Sequence, residues 1–413
     1  LLVTALGTYA QSVKSFSEPS KPADAGFSEE RLSRIDDMLE EQVTNQTIPG
    51  AVALIVRNGK VVYHKAFGFS DVEKKSALKK DDIFRIASQS KAITSLAVMI
   101  LWEEGKFLLD DPVSKYIPEF KNPKVLKRFN ADDSTYTAEP ATREITIRHL
   151  LTHSSGIDYA VIGSTEFKAI YARAGVPSGI GNDQSRIGEK MKILAGLPIK
   201  HNPGEQFTYG LNIDVLGYLV EIWSGLPFDQ FLKTRIFDPL GMNDTFFYLP
   251  RNKQNRLVAL HGNKNGKVFK MKDPPYDAMS PDYPNLKGTY FSGGAGLSST
   301  AEDYAKFLQL FLNHGEFNGT RLLGRKTVEL VLTDQLPHLD NEFGLAFGLE
   351  TEKNDHQSPA SIGSFSWGGA FSTQYWADPK ENLIGVIYTN IYNNPYGSIS
   401  EKFKVLTYQA ITD

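Results

Sequence analysis

Cysteine is absent from all 413 residues, which excludes disulfides, thiolate metal sites and a thiol nucleophile at once. No apolar run approaches the ~20 residues that a bilayer-spanning helix needs, so no stable membrane span is expected. Charge of one sign is also lacking: 45 Lys and Arg balance 48 Asp and Glu, and neither gathers into a long block, which argues against nucleic-acid binding and polybasic membrane attachment. A G-x-S-x-G elbow is missing, so an ordinary Ser-His-Asp hydrolase is disfavoured. His149 and His153 have helical i,i+4 spacing, but Leu150 stands where a zinc-binding H-E-x-x-H needs glutamate. No metal and no cofactor are expected.

What is present reads as a globular chain with 41% hydrophobic residues. Leu1 to Ala10 resembles the tail of a secretory h-region ending in a small-residue cleavage site, which implies a bacterial periplasmic or secreted setting. Residues 11–26 read as a tether. Ser28 is placed as the N-cap of a helix carrying Leu32, Ile35, Leu39 and Val43 on one stripe. Apolar runs at 51–56 and 60–66 flank Asn58-Gly59, a hairpin signal, and 365–377 with 382–389 read as a second hairpin before a closing helix at 398–411.

Strands at both ends around a helical middle predict an α/β (α+β) fold: an antiparallel sheet flanked by helices, built from 27–107 and 288–413, with a mostly helical domain inserted at 108–287. Helices are expected near 146–152, 187–195, 213–224 and 228–236. The stretches 122–144 and 261–288 are read as surface loops near a cleft.

Ser88-Gln89-Ser90-Lys91 places a hydroxyl and an amine one helical turn apart at the start of an apolar helix ending near Gly105. Ser88 is expected at or near the N-cap, and burial together with the positive helix end disfavours a charged Lys91, as a base requires. The same spacing at Ser76 and Lys79 lies in a charged, solvated run. Tyr209, after Pro203-Gly204-Glu205-Gln206-Phe207-Thr208 and before a helix, is the best second proton carrier. Trp367-Gly368-Gly369-Ala370 puts two glycines in a strand, where either a ligand or a bulge explains them, and the N–H groups of Ser88 and Ala370 are candidates for an oxyanion hole.

In this order, Ser88-x-x-Lys91, Tyr209 and Trp367-Gly368-Gly369 resemble the three motifs of the serine β-lactamase and penicillin-binding-protein superfamily. The nearest branch is the class C β-lactamase-related hydrolases, closest to family VIII carboxylesterases. The stretches Arg148-His149-Leu150-Leu151-Thr152-His153-Ser154-Ser155-Gly156 and Gly293-Gly294-Ala295-Gly296-Leu297 add to the likeness.

The resemblance implies that Ser88 is acylated, Lys91 deprotonates it and Tyr209 exchanges protons with base and leaving group. Substrate contacts fall to Trp367, Gly368, Gly369 and Asn212. Two departures stand out: Leu211 occupies the Asn place of Tyr-x-Asn, with Asn212 one further on, and Trp367 replaces the usual Lys or His. An indole offers area and one neutral donor, where a lysine offers a charge-assisted bond worth roughly 1.5–3 kcal/mol to a carboxylate. The reading is a carboxylesterase on small acyl esters. A β-lactamase, a D-Ala-D-Ala carboxypeptidase and a non-catalytic penicillin-binding-type sensor are the alternatives.

Overall fold

Strand β1 (Gly50–Arg57) is buried along its whole length, because each of its faces meets a separate core. Ala51, Ala53 and Ile55 point into one hydrophobic cluster, and Val52, Leu54 and Val56 into another. That two-sided burial explains why the strand reads as one unbroken apolar run. The computed structural model describes residues 15–19, 21–181, 183–274, 276, 280–394 and 396–413. The proposed leader, Leu1 to Ala10, lies outside the described residues.

Asn58 and Gly59 take φ of +52° and +72°, the left-handed pair that a tight hairpin needs, and the chain returns as β2 (Lys60–Asp71). With β3 (Ser76–Ala77), β4 (Gly348–Leu349), β5 (Phe365–Gly369), β6 (Thr373–Asp378) and β7 (Leu383–Tyr388) they form a seven-stranded sheet. Its order is β4-β5-β6-β7-β1-β2-β3. Antiparallel pairing of β1 with β7, from Val52 opposite Tyr388 to Arg57 opposite Leu383, joins the two ends of the chain as expected.

Helices cover both faces. On one, α1 (Glu29–Thr44), capped by Ser28 Oγ accepting from the Arg31 N–H at 3.2 Å, packs Leu32, Ile35 and Leu39 against the sheet. On the other lie α2 (Ser90–Glu103), with α3 (Asn212–Ser224) packed against it, and α4 (Ala301–Leu312), which packs on β1, β6 and β7. The closing helix α5 (Ile399–Tyr408) lies beside α1, with Phe403 in the same core. The core under α2 runs without a break from Val52 and Leu54 to Leu150, Leu216 and Phe228, so the helical middle and the sheet share it.

Several local expectations are corrected. The run 365–377 is two strands, β5 and β6, because Gly369 to Thr373 makes a turn with Ser372 at φ +55°. The stretch 122–144 contains a hairpin of Lys124–Phe129 with Tyr136–Pro140, and 261–288 contains another of His261–Lys264 with Lys267–Lys270. Their charged, exposed residues hide the period of two. Part of the supposed tether is docked: Ser17 bridges to Lys60 and the Phe16 ring lies 5.4 Å from that of Phe317.

Candidate active site

Helix α2 is buried on every side from Ser90 to Leu101, so its entry is fixed by the packing around it. That entry is a 3-10 turn, Ala87–Gln89. Ser88 is therefore not the N-cap; it sits within the turn, and Gln89 occupies the cap position of α2. Ala87 holds φ at +43°, a left-handed conformation costing on the order of 1–3 kcal/mol in a residue with a side chain. The surroundings over-determine it. Ser90 Oγ donates to the Ala87 carbonyl at 2.6 Å and accepts from the Leu297 N–H at 3.0 Å. Gln89 accepts from Tyr304 on its carbonyl (2.9 Å) and from Tyr388 on its side chain (2.6 Å). Tyr388, which mimics a Tyr-x-Asn motif with Asn390, is thus a buried strut.

Lys91 lies one turn further on, 4% exposed, with Nζ 3.2 Å from Ser88 Oγ, 2.9 Å from the Tyr159 hydroxyl and 2.7 Å from the Gly294 carbonyl. A carbonyl can only accept. One Nζ hydrogen is therefore committed to Gly294, while the hydroxyls of Ser88 and Tyr159 can each accept from the amine or donate to it. The close approach of Gly294 requires glycine: a Cβ there would stand 2.6 Å from Asp214 Oδ2 and 3.6 Å from Lys91 Nζ.

Tyr159 was not singled out from the sequence. It reaches the site because Gly156, at φ +87°, turns the chain against His201, and because Gly210 packs flush on the Ile157 carbonyl. Burial, then the neighbouring Tyr209 and Asp214, hold its phenol well above the ordinary range, so it stays protonated. Tyr209 is half-buried and presents its ring to Lys91, Nζ lying 4.5 Å from the ring centre. Its hydroxyl accepts from Trp367 Nε1 at 3.4 Å. The ring of Trp367 lies 5.7 Å from that of Tyr209 and 5.3 Å, edge-on, from that of Phe343, continuing an aromatic wall to Phe207.

Asn212 is not placed for substrate contact. It is fully buried, its amide oxygen accepting from Ser155 Oγ and its nitrogen donating to His153 Nδ1 at 3.1 Å and to the Thr208 carbonyl at 3.4 Å. Burial, then Lys91, push His153 well below the ordinary histidine range, so the ring under Tyr209 is neutral. Gly368 and Gly369 sit in regular register opposite Gln374 and Thr373, without a bulge. A Cβ on Gly369 would lie 2.4 Å from the Ile86 carbonyl, so β5 runs directly along the turn that holds Ser88. Ala370 follows in an exposed position. Of the two arginines that the sequence offers in place of the motif lysine, Arg148 and Arg251, Arg148 is committed to Asp110 (2.7 and 2.9 Å) and Gln335 (2.6 Å).

Comparison with known proteins agrees with this architecture. The Beta-lactamase family pattern matches residues 35–407, and the chain belongs to that family. Esterase EstB of Burkholderia gladioli is 29% identical over 369 residues, covering 87% of this chain and 90% of its own. A putative D-alanyl-D-alanine carboxypeptidase of Escherichia coli K12 is 27% identical over 399 residues, covering 91% and 86%. Among solved structures, EstCE1, described as a hydrolase with promiscuous acyltransferase activity, superposes with a TM-score of 0.79 at 26% identity, covering 92% of this chain and 99% of that one. Family and relatives together support a hydrolase.

Proposed function

We propose that the protein is a serine hydrolase that cleaves small, uncharged carboxylic esters through an acyl-enzyme on Ser88. Lys91 accepts the Ser88 proton as Oγ attacks the ester carbonyl. The ring face of Tyr209, 4.5 Å from Nζ, favours the ammonium that results. The hydroxyl of half-buried Tyr209 then relays a proton to the departing alkoxide, while buried Tyr159 holds the amine in line. The N–H groups of Ser88 and Ala370 take the oxyanion, and water completes the second half-reaction by the same route. The scheme calls on no metal or cofactor. A periplasmic or secreted location remains part of this proposal.

The observation that carries the ester reading is the indole of Trp367, hydrogen-bonded to Tyr209 where a carboxylate-bearing substrate wants a cation, with Arg148 tied up by Asp110. p-Nitrophenyl acetate and butyrate turnover by wild type and Ser88→Ala tests it. The expected result is turnover that disappears with Ser88; rapid nitrocefin hydrolysis with little esterase activity would favour a β-lactamase instead.

A further inference from the structure

Asp214 lies in the first turn of α3 with no exposure to solvent, and the scheme above leaves it without a task. Its Oδ1 accepts from the Tyr290 hydroxyl at 3.3 Å. Oδ2 has no well-formed hydrogen bond among the described residues, although Ser292 and the Gly294 backbone lie close enough to favour the charged form. Two glycines bring backbone flush against this carboxylate. On one side a Cβ at Gly294 would lie 2.6 Å from Oδ2, 3.4 Å from the Tyr159 hydroxyl and 3.6 Å from Lys91 Nζ. On the other side, Gly179 at φ +85° would set a Cβ 2.9 Å from Ser292 Oγ and 3.6 Å from Oδ2.

A carboxylate in such a place is expensive. Burial pushes Asp214 up to about 6, against the pull of Ser292, Lys91 and Tyr290, so at neutral pH the fold carries a desolvated charge that an amide of the same shape would avoid. Retaining a destabilising ionisable group one Cα away from a catalytic amine is the pattern of a functional site.

We infer, resting on the acyl-transfer reading, that Asp214 is a positioning residue whose carboxylate stabilises the ammonium formed on Lys91 as Ser88 attacks. In that step the Ser88 O–H bond breaks and its proton joins the Nζ lone pair. Oγ bonds to the ester carbon, and the carbonyl π pair moves onto oxygen. The new positive charge has a neutral phenol and a neutral carbonyl as direct partners. Asp214, across Gly294, supplies the negative charge in a medium that screens poorly. The groups facing Asp214 are Lys91 of α2, Tyr159 of the 152–160 loop, and Tyr290 and Ser292 of the 288–297 loop, with Asp183 acting on Tyr290 from behind.

The test is p-nitrophenyl acetate kinetics from pH 5 to 8, with thermal melting from pH 4 to 8, for wild type, Asp214→Asn and Tyr290→Phe. At pH 8 Asp214→Asn is expected to lose kcat roughly a hundredfold with KM unchanged. The wild-type advantage should shrink towards unity as pH falls through about 6, where the wild-type carboxyl becomes protonated. The same variant should melt above wild type at pH 8, because a raised folded pKa makes the charged form a cost. That gap should close between pH 6 and 4. Tyr290→Phe removes a bond favouring the charge, so the acid side of its kcat profile should move to higher pH, and this arm stands even if Asp214→Asn fails to fold. A kcat ratio independent of pH, full activity in Asp214→Asn, or an unshifted Tyr290→Phe profile would overturn the inference alone. An inactive wild type would sink the acyl-transfer reading together with it.

Discussion

Lys91 has three oxygen neighbours, and what each can donate or accept divides the labour at the site. The two tyrosines should separate in experiment. Tyr209→Phe removes the hydroxyl to which the Trp367 indole donates, and kcat should fall about a hundredfold or more. Tyr159→Phe should also lose kcat, and with it stability, because its buried hydroxyl is a hydrogen-bond partner of Lys91; paired urea melts and steady-state kinetics would distinguish the two. Trp367→Lys should raise nitrocefin turnover relative to p-nitrophenyl acetate roughly tenfold, since a restored cation anchors a carboxylate by more than 1.4 kcal/mol; an unchanged ratio would show that the indole does not set the substrate class. Ser88 and Lys91 were legible in the sequence because an i,i+3 pair is a local geometry. Tyr159, Asp214 and the Gly294 carbonyl were not, since they arrive on separate loops whose meeting depends on close backbone contacts at Gly156, Gly210 and Gly294. Asn212 misled for the opposite reason: its place beside the motif is real, but burial under Ser155 and His153 consumes its amide.

At the scale of elements, the site depends on a strained turn held against a strand. Ser90→Ala would strand the buried Leu297 N–H and release the Ala87 carbonyl. It should cost about 1–3 kcal/mol in denaturant melts and lower kcat as the left-handed Ala87 relaxes. Gly369→Ala would drive a methyl into the Ile86 carbonyl and Thr373 Oγ1, both within 2.4 Å, moving β5 away from Ser88. Here kcat should drop while the acylation of Ser88 by a fluorophosphonate persists more slowly; unaltered kinetics would remove β5 from the oxyanion role. The hairpin at Asn58-Gly59 was readable because burial of β1 on both faces leaves it an apolar run and the turn pair marks its end. The β5–β6 turn was missed because its Gly-Gly signal reads as a ligand contact or a bulge within one strand.

Across the whole molecule, buried histidines tie stability to acid pH. Burial lowers His149 and His261 to about 4 from an ordinary 6.5, and it holds His153 well below the ordinary value too. Unfolded histidines take up protons that these folded ones refuse, so stability should be fully present above pH 6.5 and decline as pH falls towards 4. Asp214 opposes this in part over the same window. Thermal melts at pH 7.5 and 5 should therefore show a clear loss at the lower value, and His261→Gln should reduce the loss. The joining of both chain ends in one sheet was readable from two distant sets of apolar strands. The single core shared by sheet and helical middle was not, because no local pattern reports which surfaces of Leu150, Leu216 and Phe228 meet.

Mass spectrometry of the intact protein after a fluorophosphonate tests the central claim most directly. The account predicts one adduct, mapped to Ser88 and absent from Ser88→Ala, with its rate falling in Tyr209→Phe. Labelling at another residue, or equal labelling of Ser88→Ala, would contradict it.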